Sequence, residues 1–586
     1  MQKESLIKFL KRKFLILINH LIEYSAYTVG CPGGIAMDVN QCVVKVLDSI
    51  GVDHVFGGSG QVNASMLLAL KKSANIKTII VRNEQAASFM ACGYSMFSEK
   101  LGVCFATGGP GAFNLFSGMA VAYSDSLPVL GITGYTSNGI RGKGALNEST
   151  GLSRTPDSHV MFGATTKKSF ILENPDDTCD LLEEAVNLAF EGRPGPVHIH
   201  IPKDITMAEV KNYRPIKLDV KPILPDNRTL DEIALVLKKA LTDNEKIALL
   251  IGYGTIRSGA QDEVLKFVDR FQIPFMTTMD AKGIISEEHP MSLGVFGTSG
   301  DPGAKKYFDE AGIILALGNS FAENATYSFK KDLYDNKVLI HVNIDKNDID
   351  KVYKAEYGLV SDIKLAVSAF SDRLSKEIMN IGQTKITRDK YYDKPVEYNG
   401  DKIHPADLVK SISGLLPENS IIMGDAGAHM LWLNCYLNLN KNQLYQNPGS
   451  FGPMASNVNG AIGVKCANPD KTVVCACGDG DYLMAGFELL TAVENNIPVV
   501  WVIFNNGEFN IIKKFLLNIF GEHAFMSFKN PNYELYAKAC EALGYRVEKI
   551  EQFAGIFEAA IKSGKPAIID VCVESEVYPP FELKRV

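Results

Sequence analysis

The chain has 586 residues, of which 46% are hydrophobic, and its formal net charge is -7 with an isoelectric point near 5.9. This acidic balance provides no basic surface for nucleic acid, so we expect no nucleic-acid partner. At roughly 100 to 200 residues per domain, the length predicts three or four domains, each large enough to bury its own core.

The first 36 residues precede the part of the chain that predicts a fold. A basic run at 11–13 is followed by an apolar run at 14–18, an order that resembles a signal peptide. Asn19 and His20 interrupt the apolar run early, and it is far shorter than a membrane span. We therefore interpret 1–36 as an N-terminal extension and expect no membrane anchor.

The next block, 37–206, alternates apolar runs with helix-like stretches, which predicts parallel strands joined by helices. Its predicted strands lie at 101–107, 128–133 and 196–201. His198 and His200 alternate within the last of these strands, and we interpret them as hydrogen-bonded core histidines.

Glu84 is the first candidate catalytic residue along the chain. It follows the short apolar run 79–81 and opens an alanine-rich stretch, so we expect it at the end of a strand and the start of a helix. A carboxylate there suits proton transfer to a heterocycle. The same residue is also explained by the preference of the first helical turn for a negative charge.

Polar stretches at 207–227 and 375–401 separate two further blocks, 225–374 and 400–586. The middle block has predicted strands at 246–253, 313–318 and 337–344. The last block has predicted strands at 420–424, 472–477, 498–504 and 566–573. All are nearly continuous apolar runs, as expected for parallel strands that are covered on both faces.

Two polar turns in the last block form the most informative motif. Gly478-Asp479-Gly480 ends one apolar strand and Asn505-Asn506-Gly507 ends the next. Because parallel strands end at one edge of a sheet, Asp479, the Asn506 amide oxygen and the Glu508 backbone carbonyl could hold Mg²⁺ and leave room for phosphate oxygens. Either turn alone is better explained as an ordinary turn. Together they predict a magnesium-diphosphate site, which suits a nucleotide or thiamine diphosphate.

Further motifs in order along the chain resemble the acetolactate synthase branch of the thiamine-diphosphate enzymes, over roughly 37–575. They lie at 51–57, 82–87, 106–115, 125–129, 192–197, 201–204, 282–283 and 449–454, ahead of the diphosphate motif. The resemblance implies an α/β fold with three doubly wound parallel-sheet domains. These would be a pyrimidine-binding domain at 37–206, a central domain at 225–374 and a diphosphate-binding domain at 400–586.

The resemblance also implies the cofactors, thiamine diphosphate and Mg²⁺, and the residues that hold them. Glu84 would bind the pyrimidine ring, and Met454 would bend the cofactor, although a core-filling role fits Met454 equally well on the residues alone. Asp479, Asn506 and Glu508 would be the metal ligands. The other implied cofactor contacts are Gly109, Asn114, Gly427, His429, Gly452, Gly478, Gly480 and Asp481. On the residues alone, an alternative interpretation is that Gly109 and Asn114 do no more than shape the backbone. His429 is explained equally well by a structural role.

In the family, the glutamate and the diphosphate site of one active site come from different subunits. The resemblance therefore implies a homodimer or homotetramer with shared active sites.

The chain departs from the family at the substrate side. It has Leu146-Asn147-Glu148 where acetolactate synthases usually carry Phe-Gln-Glu, so Asn147 would keep the amide of the catalytic glutamine with one methylene less reach. The segment 507–515 lacks the tryptophan that narrows the substrate pocket, and Lys168 stands where a histidine is common. The identity of the acceptor substrate is therefore left open by the sequence.

Some relatives hold FAD in the central domain, but 319–323 lacks the expected arginine, so we predict that FAD is absent.

The leading hypothesis is a carboligase that decarboxylates pyruvate or a related 2-oxo acid and transfers the acyl unit to a carbonyl acceptor. A simple 2-oxo-acid decarboxylase that releases an aldehyde is the alternative within enzymes. A catalytically degenerate scaffold with a regulatory role is the alternative that is not an enzyme.

The eleven cysteines include no Cys-x-x-Cys pair and several lie inside apolar runs, so we expect reduced thiols and a cytoplasmic location.

Overall fold

The computed structural model describes residues 37–375 and 386–580 and contains three six-stranded sheets in which every strand pair is parallel. This confirms the predicted α/β fold. Each sheet falls within one predicted domain, and the domain boundaries themselves stay predictions. The predicted extension at 1–36 and part of the predicted linker at 375–401 lie outside the described residues.

The first sheet has the strand order β3-β2-β4-β5-β7-β6, and the short strands β1 and β8 pair antiparallel beside it. The strands are β1 (Met37–Asp38), β2 (His54–Gly57), β3 (Lys77–Ile80), β4 (Gly102–Ala106), β5 (Val129–Tyr135), β6 (Lys168–Ile171), β7 (Val197–Pro202) and β8 (Glu209–Val210). The helices are Val39–Ser49, Ala64–Lys72, Glu84–Met96, Pro110–Asn114, Phe116–Ser124, Ser158–Thr165 and Thr178–Phe190, with short 3₁₀ turns at Asn138–Ile140 and Pro175–Asp177.

The middle sheet has the order β11-β10-β9-β12-β13-β14. Its strands are β9 (Ile247–Ile251), β10 (Phe275–Thr277), β11 (Ser292–Val295), β12 (Ile313–Leu317), β13 (Val338–Asn343) and β14 (Tyr357–Val360). The helices are Asn227–Thr242, Gly254–Arg257, Gln261–Phe271, Pro302–Glu310 and Ile363–Ser375, with 3₁₀ turns at Met279–Ala281 and Asn324–Thr326.

The third sheet has the order β16-β15-β17-β18-β20-β19. Its strands are β15 (Ser420–Gly424), β16 (Gln443–Gln446), β17 (Thr472–Gly478), β18 (Val499–Asn505), β19 (Leu543–Val547) and β20 (Ala567–Cys572). The helices are Pro405–Leu415, Ala428–Tyr436, Ser456–Ala467, Asp479–Ala485, Leu489–Glu494, Asn510–Phe520, Tyr533–Ala539 and Ile550–Lys562, with 3₁₀ turns at Tyr391–Asp393 and Gly486–Glu488.

The first and third sheets share one hydrophobic core, which includes Phe89 and Met90 from one side and Val458 and Ile462 from the other. These residues belong to the helices Glu84–Met96 and Ser456–Ala467, whose backbones approach so closely that only glycine fits. An ideal Cβ atom on Gly93 would lie closer than 3.0 Å to the carbonyl oxygen of Gly460. The helix that begins with Glu84 is therefore docked directly on the third domain.

His198 and His200 are fully buried in β7, and each has a ring nitrogen within 3.0 Å of the Thr133 hydroxyl. This confirms their interpretation as hydrogen-bonded core histidines.

Among the helices within 37–375 and 386–580, none combines the length and the apolar character that crossing a bilayer requires.

Candidate active site

The carboxyl ends of β17 and β18 form the first part of the site. These strands are neighbours, with Gly478 opposite Phe504, so the residues that follow meet at one edge of the sheet. Asp479 is 2% exposed, and its Oδ2 accepts the backbone N–H groups of Asn506 at 3.1 Å and Gly507 at 2.6 Å. The structure therefore brings the two sequence motifs into direct contact.

Neighbouring contacts order the other predicted metal ligands. The Oδ1 atom of Asn506 accepts the N–H of Glu508 at 3.0 Å, and the Glu508 carboxylate pairs with Lys513 at 2.8 Å. Burial raises the pKa of Asp479, so an ionised carboxylate there calls for a compensating cation. In the part of the chain that the structure describes, no group of three or more His, Cys, Asp or Glu side chains forms a metal centre. A cation at Asp479 would therefore depend on one carboxylate together with amide and carbonyl oxygens.

A cavity of about 340 Å³ opens beside Asp479, and we call it the Asp479 cavity. Its volume lies in the range of small-molecule sites, roughly 300 to 1,000 Å³. Nine of the residues predicted from the sequence line it: Gly427, His429, Met454, Gly478, Asp479, Gly480, Asp481, Asn506 and Glu508.

His429 and Asp481 place polar atoms on the wall of this cavity. Both are at least 95% buried, and His429 Nε2 lies 3.3 Å from Asp481 Oδ2, which also accepts the N–H of Gly478 at 2.8 Å. This contact between His429 Nε2 and Asp481 Oδ2 does not have hydrogen-bond geometry, so His429 Nε2 is buried without a partner. The other carboxylate oxygen, Asp481 Oδ1, is also buried without a partner. Burial lowers the pKa of His429 to about 3 and raises the pKa of Asp481, so it favours the uncharged form of each group. Two unpartnered polar atoms are thus available to a ligand.

Apolar side chains narrow the cavity beside Gly480. An ideal Cβ atom on Gly480 would lie 2.8 Å from the ring of Phe509 and 3.2 Å from the methyl carbon of Met454. Any larger residue at this position would displace one of the two side chains. Met454 therefore lies against the glycine turn and lines the cavity, and its role in bending the cofactor stays a prediction.

Glu84 lies in a second group of residues at the carboxyl edge of the first sheet, which we call the Glu84 cluster. Glu84 is half-buried, and its Oε2 accepts the Asn114 side-chain amide at 2.8 Å. Gly58 and Gly111 lie so close to it that an ideal Cβ atom on either would come within 3.0 Å of Glu84 Oε1. The carboxylate is thus held in a pocket of glycines with one amide donor.

Gly109 connects Asn147 to the Glu84 cluster. An ideal Cβ atom on Gly109 would lie 2.7 Å from the Asn147 carbonyl oxygen, and both residues have positive φ angles. The buried carboxylate of Glu148 accepts backbone N–H groups within the same loop, for example that of Ala145 at 2.8 Å. Asn147 therefore sits on a constrained loop beside Gly109, whereas Leu146 before it is 78% exposed.

The two parts of the site do not meet within one chain. Neither Glu84 nor Asn147 is among the residues that line the Asp479 cavity. Gly452 is also absent from it and lines a neighbouring cleft of about 820 Å³ instead. That cleft shares Ala426 and Met430 with the Asp479 cavity, so Gly452 lies next to the cavity rather than in it.

The neighbouring cleft runs along the carboxyl edge of the middle sheet, in the domain for which the sequence predicts no FAD. Arg193 and Lys351 line it, so cations are present although 319–323 has no arginine. Asp280 also lines it, and burial raises the pKa of this carboxyl group to about 6. The absence of FAD stays a prediction.

Sequence reasoning missed Asn530, which holds the metal motif together. Its side-chain amide donates to Asp479 Oδ2 at 2.7 Å and to Asn505 Oδ1 at 2.8 Å. The hydroxyl of Tyr533 adds a contact to the Asp479 carbonyl oxygen at 3.2 Å. The only local signal is the pair Asn530-Pro531, which indicates a turn and nothing more.

Comparisons with known proteins show the family to which the chain belongs. Three profiles of thiamine pyrophosphate enzymes match the chain: the N-terminal TPP binding domain at 37–153, the central domain at 235–370 and the C-terminal TPP binding domain at 425–571. Thiamine pyrophosphate and thiamine diphosphate are the same compound.

Similar proteins cover almost the whole chain. It is 31% identical to a probable acetolactate synthase large subunit of Methanococcus aeolicus and 30% identical to that of Methanocaldococcus jannaschii, with 92% of each chain covered. It is 28% identical to the acetolactate synthase large subunit of Corynebacterium glutamicum, with 92% of this chain and 87% of that protein covered. The chain therefore belongs to the thiamine pyrophosphate enzymes, in the family of the acetolactate synthase large subunits.

Proposed function

We propose that the protein is a thiamine-diphosphate- and Mg²⁺-dependent carboligase that decarboxylates pyruvate or a related 2-oxo acid and transfers the acyl unit to a carbonyl acceptor. The observation that carries the proposal is the direct contact between Asp479 and the Asn506-Gly507 turn at the edge of the Asp479 cavity. The similarity to acetolactate synthase large subunits supports the same activity.

The residues of the Asp479 cavity fit a magnesium diphosphate. Asp479, the Asn506 side-chain oxygen and the Glu508 backbone carbonyl would hold Mg²⁺, which prefers oxygen ligands and keeps phosphate oxygens in its coordination shell. His429 Nε2 and Asp481 Oδ1, which lack partners, would bind the diphosphate side of the cofactor.

The Glu84 cluster would act on the pyrimidine half of the cofactor. When bound, thiamine diphosphate supplies the nucleophilic carbon and the electron sink that decarboxylation of a 2-oxo acid requires. Glu84 would share a proton with the pyrimidine N1′ atom, and Asn114 would hold its carboxylate in the right direction. Asn147 would donate or accept a hydrogen bond at the substrate.

A complete site then requires two chains, so we propose a homodimer or homotetramer in which Glu84 of one chain faces the Asp479 cavity of another. Exposed apolar side chains beside both half-sites support such an interface. Leu146 adjoins Asn147, and Met484 and Phe487 follow Asp479, with exposed fractions of 78%, 56% and 66%. Apolar groups of this size beside a site usually mark a contact surface.

We also propose a cytoplasmic location and the absence of FAD. All ten cysteines within the described residues are free thiols, which agrees with a reducing compartment. A purified preparation is expected to be colourless, and a yellow protein with a flavin absorption band would contradict this part of the proposal.

The test is product analysis. Purified protein is incubated with thiamine diphosphate, Mg²⁺, pyruvate and a panel of aldehydes and 2-oxo acids, and the products are identified by mass spectrometry. We expect carbon dioxide and a hydroxyketone. Release of an aldehyde without a hydroxyketone would replace carboligation by simple decarboxylation. Absence of carbon dioxide release from every 2-oxo acid, with the cofactor bound, would refute the enzymatic proposal in favour of a scaffold.

A further inference from the structure

The third domain reaches across to the backbone that carries Glu84. Glu488 is 3% exposed and lies at the end of the 3₁₀ turn Gly486–Glu488, nine residues after Asp479. Its Oε1 atom accepts the backbone N–H of Arg82 at 2.9 Å and that of Asn83 at 3.1 Å. One carboxylate oxygen thus binds the two peptide groups directly before Glu84.

These two peptide groups have no partner in regular structure. β3 ends at Ile80 and the helix Glu84–Met96 starts four residues later, so the junction depends on acceptors from elsewhere. The second oxygen of Glu488 is occupied by the hydroxyl of Thr491, which fixes the carboxylate plane. Glu488 therefore presents a rigid acceptor to the junction.

Two other contacts hold the same junction to the same segment. The guanidinium group of Arg82 donates to Thr491 Oγ1 at 3.3 Å and pairs with the carboxylate of Glu494. The side chain of Asn83 caps the helix by accepting the N–H of Gln85 at 2.9 Å. Residues 488–494 of the third domain thus hold both residues that precede Glu84.

The far end of the helix is held as firmly, because Gly93 meets Gly460 and Gly463 meets the Met90 carbonyl at distances that exclude a Cβ atom. Because the third domain contacts this helix both before its first residue and along its length, the helix cannot rotate on the first sheet without moving against the third domain. The direction of the Glu84 carboxylate is then set by the third domain as well as by Asn114.

We propose that Glu488 is a positioning residue that fixes the Glu84 carboxylate in its productive direction by binding the peptide groups of Arg82 and Asn83. The inference rests on the proposed function, since it assigns a role for that reaction to a residue outside both half-sites. In the proposed dimer, the domain that forms one Asp479 cavity would aim the glutamate that serves the other.

The test compares Glu488→Ala with Glu488→Gln, whose amide oxygen can still accept both N–H groups. We expect Glu488→Ala to lower kcat by roughly 10²-fold, the scale of a misplacement of about 1 Å at a reacting group. The kcat of Glu488→Gln is expected to stay within about 3-fold of wild type, because glutamine keeps the acceptor oxygen in place and the proposed role does not depend on the charge. Affinity for inorganic diphosphate with Mg²⁺, measured by calorimetry, should be unchanged in both, because neither substitution touches the Asp479 cavity and this probe does not reach Glu84.

Glu287→Ala is the control for lost stability. Glu287 is 5% exposed, accepts the backbone N–H of Leu439 at 3.1 Å and pairs with the buried Lys282 ammonium at 2.6 Å, so it also bridges two domains but lies away from Arg82 and Asn83. Its loss leaves a buried charge unpaired and is expected to cost at least as much stability as the loss of Glu488. Equal losses of kcat in Glu287→Ala and Glu488→Ala would overturn the proposal in favour of general destabilisation. A Glu488→Gln variant as slow as Glu488→Ala would overturn it in favour of a proton-transfer role.

Hydrogen exchange separates this proposal from the proposed function. Amide exchange in a peptide covering 79–90 should be faster in Glu488→Ala than in wild type and unchanged in Glu287→Ala, whether or not any 2-oxo acid is a substrate. Unchanged exchange would overturn the positioning role. Faster exchange in a protein that turns over no 2-oxo acid would support the positioning of Glu84 while refuting the proposed function.

Discussion

The crossing of the helices Glu84–Met96 and Ser456–Ala467 gives a prediction with a defined size. An ideal Cβ atom on Gly93 would come closer than 3.0 Å to the Gly460 carbonyl oxygen, whereas ordinary contacts begin at 3.4 Å. The atom in the way belongs to the backbone and has no rotamer to change. In Gly93→Ala the two helices must therefore move apart, by on the order of 1 Å in a close-packed interior.

Two opposing effects decide the stability of this variant. Overpacking costs about 1 to 3 kcal/mol, with the upper end expected for a backbone clash. Replacing glycine by alanine inside a helix contributes about 1 kcal/mol in the other direction. The net result is a destabilisation of about 2 kcal/mol. Because Glu84 begins the displaced helix, we also expect kcat/KM to fall by roughly 10²-fold.

Gly555→Ala is the matched control. Gly555 lies inside the helix Ile550–Lys562, and an added Cβ atom there would meet nothing within 4 Å. This variant should gain about 1 kcal/mol and keep its activity. The thermal melting midpoint should therefore fall in Gly93→Ala and rise in Gly555→Ala. Only the direction of the change is compared, because a multidomain chain need not unfold in two states. A Gly93→Ala protein with an unchanged or raised midpoint and full activity would refute the close-contact argument.

Three further outcomes are expected. Glu84→Gln should lower turnover by roughly 10² to 10⁴, the usual scale for a positioned proton-transfer group, and a near-normal rate of carbon dioxide release would remove Glu84 from the mechanism. Asp479→Ala should abolish the Mg²⁺-dependent part of thiamine-diphosphate binding, and a calorimetric titration with unchanged affinity would contradict the metal assignment. Burial lowers the pKa of His198 and of His200 well below the usual value. Below about pH 6.5 the unfolded chain therefore binds more protons than the folded chain. The free energy of unfolding consequently falls as the pH falls, by about 1.4 kcal/mol per pH unit for each histidine. The melting midpoint of His200→Asn should consequently fall less steeply than that of wild type between pH 7 and pH 5, and equal slopes would show that His200 does not titrate on unfolding.

The strands that carry the site were predictable because they are buried on both faces. β17 and β18 are continuous apolar runs in the middle of the third sheet, and their adjacency put Asp479 beside the Asn506 turn. Edge strands were harder to predict. β6, β14 and β19 lie at sheet edges and mix buried with exposed residues, so none forms the continuous apolar run that marks a covered strand.

The supporting residues of the site left no such signal. Asn530 binds Asp479 from 51 positions along the chain, and Glu488 binds the backbone of Arg82 from 406 positions away. Neither contact depends on periodicity or on a local motif, because each arises where a loop or turn of one element meets another in space. The contacts that orient Asp479 and the backbone before Glu84 were therefore found only in the structure, whereas Glu84 and Asp479 themselves were proposed from the sequence.

The division of the site between two sheets has a consequence for assembly. Within one chain, the helix that begins with Glu84 packs directly on the helix Ser456–Ala467, which in turn packs on β17 ahead of Asp479, so neither half-site can swing toward the other without breaking the contact between Gly93 and Gly460. A two-fold axis resolves this, because the rotation that brings Glu84 of one chain to the Asp479 cavity of its partner also brings the partner's Glu84 to the first cavity. In the proposed dimer both active sites would then form in a single step, and activity per chain would decline on dilution together with the dimer population.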